Sequence, residues 1–187
     1  MSSTLSYIIK FFAPLVAFLL MARFLLQASK ADFYNPISQA IVSVTDPLLK
    51  PLRAIIPAFR NFDLSAILCA WLLQAAFDYS IIAVEGGVFY GVAPLLVLSL
   101  VTVLQIVLQI YWFMIIVSIV ASFIAPGSTH PALDLIRQIL EPIMTPLRRL
   151  LPPVGGLDFS PIIAFLVIGL FQNIFVPSLG RALLSVL

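Results

Sequence analysis

Two arginine–aspartate pairs stand out among the residues that could do chemistry: Arg53 with Asp63, and Arg148 with Asp158, at the same separation each time. A planar guanidinium can bind a carboxylate or a phosphate through two parallel hydrogen bonds. Anchoring among lipid headgroups is the favoured role for Arg53 and Arg148, together with Lys50 and Arg149. The alternatives are a partner-binding role or an internal ion pair, with Asp63 and Asp158 as the carboxylates.

A second set of polar residues lies inside apolar stretches. These are Lys10, Asp78, Gln105, Gln109 and Asn173, and ionisable groups at membrane depth are functional candidates by default. Lys10 and Asp78 are expected to pair across neighbouring helices, either as a structural clasp or as a solute-contacting site. Gln105 and Asn173 repeat that contact in neutral form. Gln105 and Gln109 share a helical face, and amides in lipid commonly hydrogen-bond between helices. Arg23 is expected to extend to the headgroups.

Catalytic and metal chemistry find little support. One histidine and one cysteine cannot make a His/Cys metal set or an intrachain disulfide, and no phosphate-loop or nucleophile-elbow spacing occurs. No enzyme activity and no cofactor is expected. His130 is expected to start a helix, and Cys69 to pack. Seven basic residues divided between two lipid-facing segments argue against nucleic acid as a partner.

The elements that must carry these residues follow from composition. Of 187 residues, 62% are hydrophobic and 10% charged, against about 25% charged in soluble proteins. Apolar runs of about 18 or more residues read as membrane spans, which must be helical because lipid offers backbone groups no partners. Four are expected, at about 7–27, 64–84, 98–124 and 159–179, the third preceded by a short segment broken near Pro94. The first lacks the basic start and small-residue cleavage site of a signal peptide. Basic residues fall between spans one and two and between spans three and four, while the turn at Glu85 has none. The positive-inside rule therefore puts both basic segments in the cytoplasm and both termini outside.

A shift of 95 residues superposes the two halves without a gap over 35–67. Pro47, Pro51, Arg53, Pro57, Asp63 and Ser65 fall on Pro142, Pro146, Arg148, Pro152, Asp158 and Ser160. The chain is thus expected to be two tandem parallel repeats, 1–90 and 91–187, related by an axis along the membrane normal. Each repeat is span, basic segment, span. Asn35-Pro36 and Asp46-Pro47 each pair a capping residue with a proline, so two short helices are predicted in place of one long one. The segment is amphipathic, with Leu48, Leu52, Ile55 and Ile56 forming an apolar stripe beside Lys50 and Arg53. That pattern suits a membrane surface.

With "DPLLKPLRAIIP" and "EPIMTPLRRLLP" each followed by an aspartate-x-serine, the chain resembles the YggT family, also called YlmG-like proteins, in its two-repeat form. The first copy has "RNFDLSA" where "GGLDFSP" is more typical. The resemblance implies a multi-pass protein of the bacterial inner membrane, with relatives associated with osmotic tolerance, division-linked gene neighbourhoods, and cytochrome maturation or nucleoid organisation in plastids. The expected function is a non-enzymatic organiser or assembly factor supporting envelope homeostasis through lipid, membrane-protein or self-association contacts of its basic segments. An ion or small-solute channel is the rival reading. A haem-handling role, for which only His130 offers an ordinary ligand, stands third.

Overall fold

The computed structural model describes residues 2–56, 61–125, 127–150 and 160–186. All regular elements among them are helical. Four long apolar helices form the bundle: α1 (Ser2–Ala28), α3 (Leu64–Glu85), α4 (Val92–Ile124) and a fourth span built from α6 (Ser160–Leu170), a π turn (Phe171–Phe175) and α7 (Val176–Leu184). Each has the length and apolarity to cross a membrane. Between them lie the shorter helices α2 (Pro36–Arg53) and α5 (Pro131–Leu150).

The boundaries have local causes. Asn35 caps α2 by accepting the Ile37 N–H at 2.9 Å, with Pro36 in the first helical position. His130 does the same for α5, its Nδ1 accepting the Ala132 N–H at 3.2 Å. Asp63 caps α3 through the Ala66 N–H, and Gly86 closes that helix at φ 69°, a left-handed conformation that glycine adopts without steric cost.

Two expectations about proline fail. No helix break occurs at Pro94, which lies in the first turn of α4, where its missing N–H has no acceptor to lose. Nor do Asp46-Pro47 and Glu141-Pro142 start second helices. Instead, α2 runs through Pro47 and Pro51, and α5 through Pro142 and Pro146. The reason is their four-residue spacing, which sets each pair on one exposed helix face, so both lost hydrogen bonds fall on the side away from the bundle. A helix tolerates that as a bend.

The core runs along the span contacts. Leu20, Met21 and Leu26 of α1 meet Ala66 and Ala70 of α3, with Val103 of α4, Leu49 of α2 and Ile139 of α5 closing the same cluster. A second cluster gathers Ile115, Leu140, Met144, Ala164 and Ile168 from α4, α5 and α6. Alanines at positions 13, 17, 66, 70 and 75 are buried. Small side chains let helix backbones approach closely, which in lipid replaces the hydrophobic driving force of water. Cys69 is buried among them. Gly180 meets α4 so closely that an added Cβ would lie 3.0 Å from Val101 Cγ2.

Candidate functional site

The basic end of the bundle is where the repeated motif comes together. In the first half, Arg53 ends α2 and turns inward. Its Nη2 and Nε donate to Asp63 Oδ2 at 2.5 and 3.2 Å, and its Nη1 reaches Asp46 Oδ1 at 3.4 Å. The Asp63 side chain is 1% exposed and that of Arg53 27%. Asp63 thus does two jobs with two oxygens, capping α3 through Oδ1 and holding Arg53 through Oδ2. Ser65 adds a third tie, its hydroxyl donating to the Ile56 carbonyl just past α2 at 2.8 Å. The proline–leucine–arginine string and the aspartate-x-serine string are the two sides of one clasp between α2 and α3.

This corrects the headgroup role expected for Arg53, because a half-buried guanidinium with two carboxylates in reach is already satisfied. Arg23 is also corrected. It is 7% exposed and does not extend to the surface; it lies over the Phe33 ring at 4.9 Å and within electrostatic reach of Arg53, Asp46 and Asp63. Its Nε and Nη1 are buried without a hydrogen bond. Sequence reasoning missed this role, although the acidic pair one helix away was a signal for it.

In the second half, Arg148 Nη1 donates to Glu141 Oε2 at 3.2 Å, and the Thr145 hydroxyl donates to Glu141 Oε1 at 2.6 Å. The Thr145 hydrogen bond foremost, with the Arg148 charge behind it and burial opposing, holds the Glu141 carboxyl below its ordinary value. Ser160 begins α6 fully buried. Pro57, Pro152 and Asp158 lie outside the described residues. Lys50 and Arg149 are exposed, Lys50 lying 3.8 Å from Asp46.

The expected apolar stripe divides between two faces. Leu52 packs against the core, as does the fully buried Leu49 beside the stripe, whereas Leu48 and, just past α2, Ile55 point outward. The two halves meet here as well. Asn35 Nδ2 donates to the Pro131 carbonyl at 2.8 Å, and the Asp32 N–H donates to Gln138 Oε1 at 2.6 Å. A cleft of about 480 Å³ lies over this junction, lined by Asp32, Tyr34, Asp134 and Arg137 among others.

The polar residues of the spans do not assemble. Lys10 pairs with Glu85, not with Asp78, and Ser6 bonds the same Glu85 oxygen. Ser6 and Lys10 share a face of α1, and a lysine stem extends most readily toward the wet end of a span. Asp78 is held elsewhere, accepting from Gln74 Nε2 at 2.9 Å and from the Ser99 hydroxyl at 2.8 Å. Asn173 faces outward in the π turn and donates to the Gly169 carbonyl of its own helix at 2.8 Å. Gln109 is exposed and Gln105 half-buried, and neither shares a hydrogen bond with Asn173 among the described residues. Nor do those residues contain a cluster of three or more metal-ligating side chains.

Comparison with known proteins bears on this architecture. The CCB3/YggT family model matches residues 2–81 and 97–179. The chain belongs to the CCB3/YggT family. Among its relatives, an uncharacterized protein of Pseudomonas aeruginosa is 41% identical over 93% of this chain and 89% of its own length. The uncharacterized protein YggT of Escherichia coli K12 is 34% identical over 89% and 86%, and a protein of Vibrio alginolyticus is 33% identical over 88% and 89%. No solved structure matches. In this YggT-family membrane protein, the two matched segments each cover most of one long helix, a shorter helix and most of a second long helix.

Proposed function

We propose that the protein is a non-enzymatic organiser of the bacterial inner membrane, its basic end contacting lipid headgroups and a membrane-protein partner or a second copy of itself. The carrying observation is the clasp: α2 is locked to α3 through Arg53, Asp63 and Ser65, while Lys50 and Leu48 of the same helix, and Ile55 just past it, remain exposed. A rigidly held helix that offers cationic and apolar side chains together suits the boundary between acyl chains and headgroups. The basic end faces the cytoplasm and both termini face outward, following the distribution of lysine and arginine. The cellular role is support of envelope homeostasis and osmotic tolerance. A solute route gains no support, since Lys10, Asp78 and Asn173 are each satisfied at separate places.

The test pairs a growth assay with a flux assay. In cells lacking their own copy, wild type restores growth under high osmolarity, and the Lys50→Ala/Arg149→Ala variant does so poorly despite normal membrane levels. In proteoliposomes under an osmotic gradient, the protein carries no potassium or sodium flux. Protein-dependent flux that Asp78→Asn alters would replace this reading with a channel.

A further inference from the structure

The helix α4 has two packed faces, and its counterpart α1 has one. The 95-residue register pairs these two helices, and Leu20, Leu49 and Ser65 are enclosed alike with their counterparts Ile115, Met144 and Ser160. One side of α4 lies on α6 of its own half. The other lies on α1 and α3 of the first half, where Val103, Ile106 and Ile110 are 2%, 7% and 3% exposed. Their counterparts on α1 are Ile8, Phe11 and Leu15, and these are 47%, 61% and 44% exposed. The same contrast continues onto the shorter helices. Ile139 of α5 is enclosed in the first-half core, whereas its counterpart Val44 of α2 lies open.

The surface that receives α4 also has an uncovered counterpart. In the first half, Met21, Phe24, Leu25, Ile67 and Ala70 belong to, or pack on, the core that Ile106 and Ile110 enter. At the matching positions of the second half, Ile116, Ile119, Val120, Ile162 and Phe165 line an open apolar groove of about 250 Å³. Gly169, one turn further along α6, stands where the first half has Gln74, and a side chain added there would meet open space. Correspondingly, α1 offers the larger Phe11 and Phe12 where α4 has Ile106 and Val107. A polar pair repeats as well. The Ser99 hydroxyl of α4 donates to Asp78 of α3 at 2.8 Å, and the counterparts are Thr4, exposed on α1, and Asn173, facing outward in the π turn. Were the halves related by a half-turn, the α1 face would lie on the second-half groove within one chain. Both are open, so the relation between the halves continues past a single chain.

We propose that a second copy of this chain supplies the missing cover. Ile8, Phe11 and Leu15 of one copy seat on the groove between α4 and α6 of the next, with the Thr4 hydroxyl donating to Asn173 Oδ1. The contact repeats head to tail until a ring of two or more copies closes, as heterologous interfaces do when their rotation permits. Both α1 and α4 run towards the basic end, so a neighbour inserted in the same sense presents α1 in the direction that α4 has. Within lipid, helices associate through close fit and interhelical hydrogen bonds, and a surface that repeats the seat of α4 offers both. This contact rests on the self-association arm of the reading above and gives it a surface.

Energy transfer between donor- and acceptor-labelled copies in proteoliposomes, at rising protein-to-lipid ratio, tests it. Wild type associates. Phe11→Ala/Leu15→Ala, which strips the α1 face, and Gly169→Leu, which fills the groove from an open position, each weaken association roughly tenfold. Leu72→Ala, on an exposed side of α3, does not. Neither variant removes a buried side chain, and unchanged helical circular dichroism checks that each is folded. Mixing the two variants restores energy transfer between them, because the intact α1 face of the Gly169→Leu copy meets the intact groove of the other. Monomeric wild type, or association that survives both variants, overturns the proposal. Loss in both variants without recovery on mixing makes the contact symmetric and overturns the head-to-tail arrangement. Monomeric wild type beside a retained Lys50/Arg149 growth defect removes the ring but leaves the lipid-contact reading standing.

Discussion

Replacing Arg53 by alanine leaves the Asp63 carboxylate in a place that water hardly reaches, its side chain 1% exposed. Removing one partner of a fully buried ion pair costs about 3–5 kcal/mol. Two features lower that here. The Arg53 side chain is 27% exposed, so water enters where it stood, and Asp63 keeps its hydrogen bond from the Ala66 N–H. The expected loss is therefore about 2 kcal/mol. Arg53→Lys keeps the charge and loses the two-pronged contact, for about 1 kcal/mol. Lys50→Ala, three residues away and exposed, should stay within about 0.5 kcal/mol. Thermal unfolding in detergent micelles, followed by helical circular dichroism, reads the series. For a chain of this length 2 kcal/mol corresponds to roughly 4–8 °C in Tm. If Arg53→Ala unfolds together with Lys50→Ala, the clasp carries no stability and the reasoning fails.

Other expectations concern separate parts of the molecule. Gly180→Leu should drive α7 off Val101 of α4 and cost about 1–3 kcal/mol, seen as a lowered Tm, with Gly180→Ala milder. Glu85→Gln should loosen the joint contact of Lys10 and Ser6, detectable as faster hydrogen exchange at the end of α3 with little change in Tm. Glu141, whose carboxyl is held below its ordinary 4.5, should stabilise the α5 terminus above that pH and cease to do so as pH falls through its lowered value. A Glu141→Gln variant should therefore differ from wild type in Tm at neutral pH and converge with it in acid.

The features legible in the sequence were those set by local rules. Apolar length marked the four spans, and Asn35, His130 and Asp63 marked helix starts because a capping side chain acts within three residues of itself. Proline was misread where its effect depends on what the helix faces: Pro47 and Pro51 interrupt nothing because their lost bonds lie outward. The partner of Lys10 was misassigned for a related reason. Apolar length gives the depth of a residue in a span only to within a turn, and with that uncertainty in both spans Asp78 and Glu85, two turns apart on the same side of α3, both fall within range of Lys10. Arg23 was hidden most fully. Its burial depends on a pocket that two other helices create, and no periodicity within α1 records it.

The π turn at Phe171–Phe175 bears on how this chain tolerates insertion and deletion. Such a turn holds one residue more than the α-helix it interrupts. Deleting one residue inside the turn would let the fourth span become a continuous α-helix, with α6 and α7 each keeping its facing to α4. The same deletion within α6 would rotate everything beyond it by about 100°, carrying Gly180 away from Val101. Length variation among homologous chains should therefore gather at this turn, where a frame change leaves both flanking contacts in place.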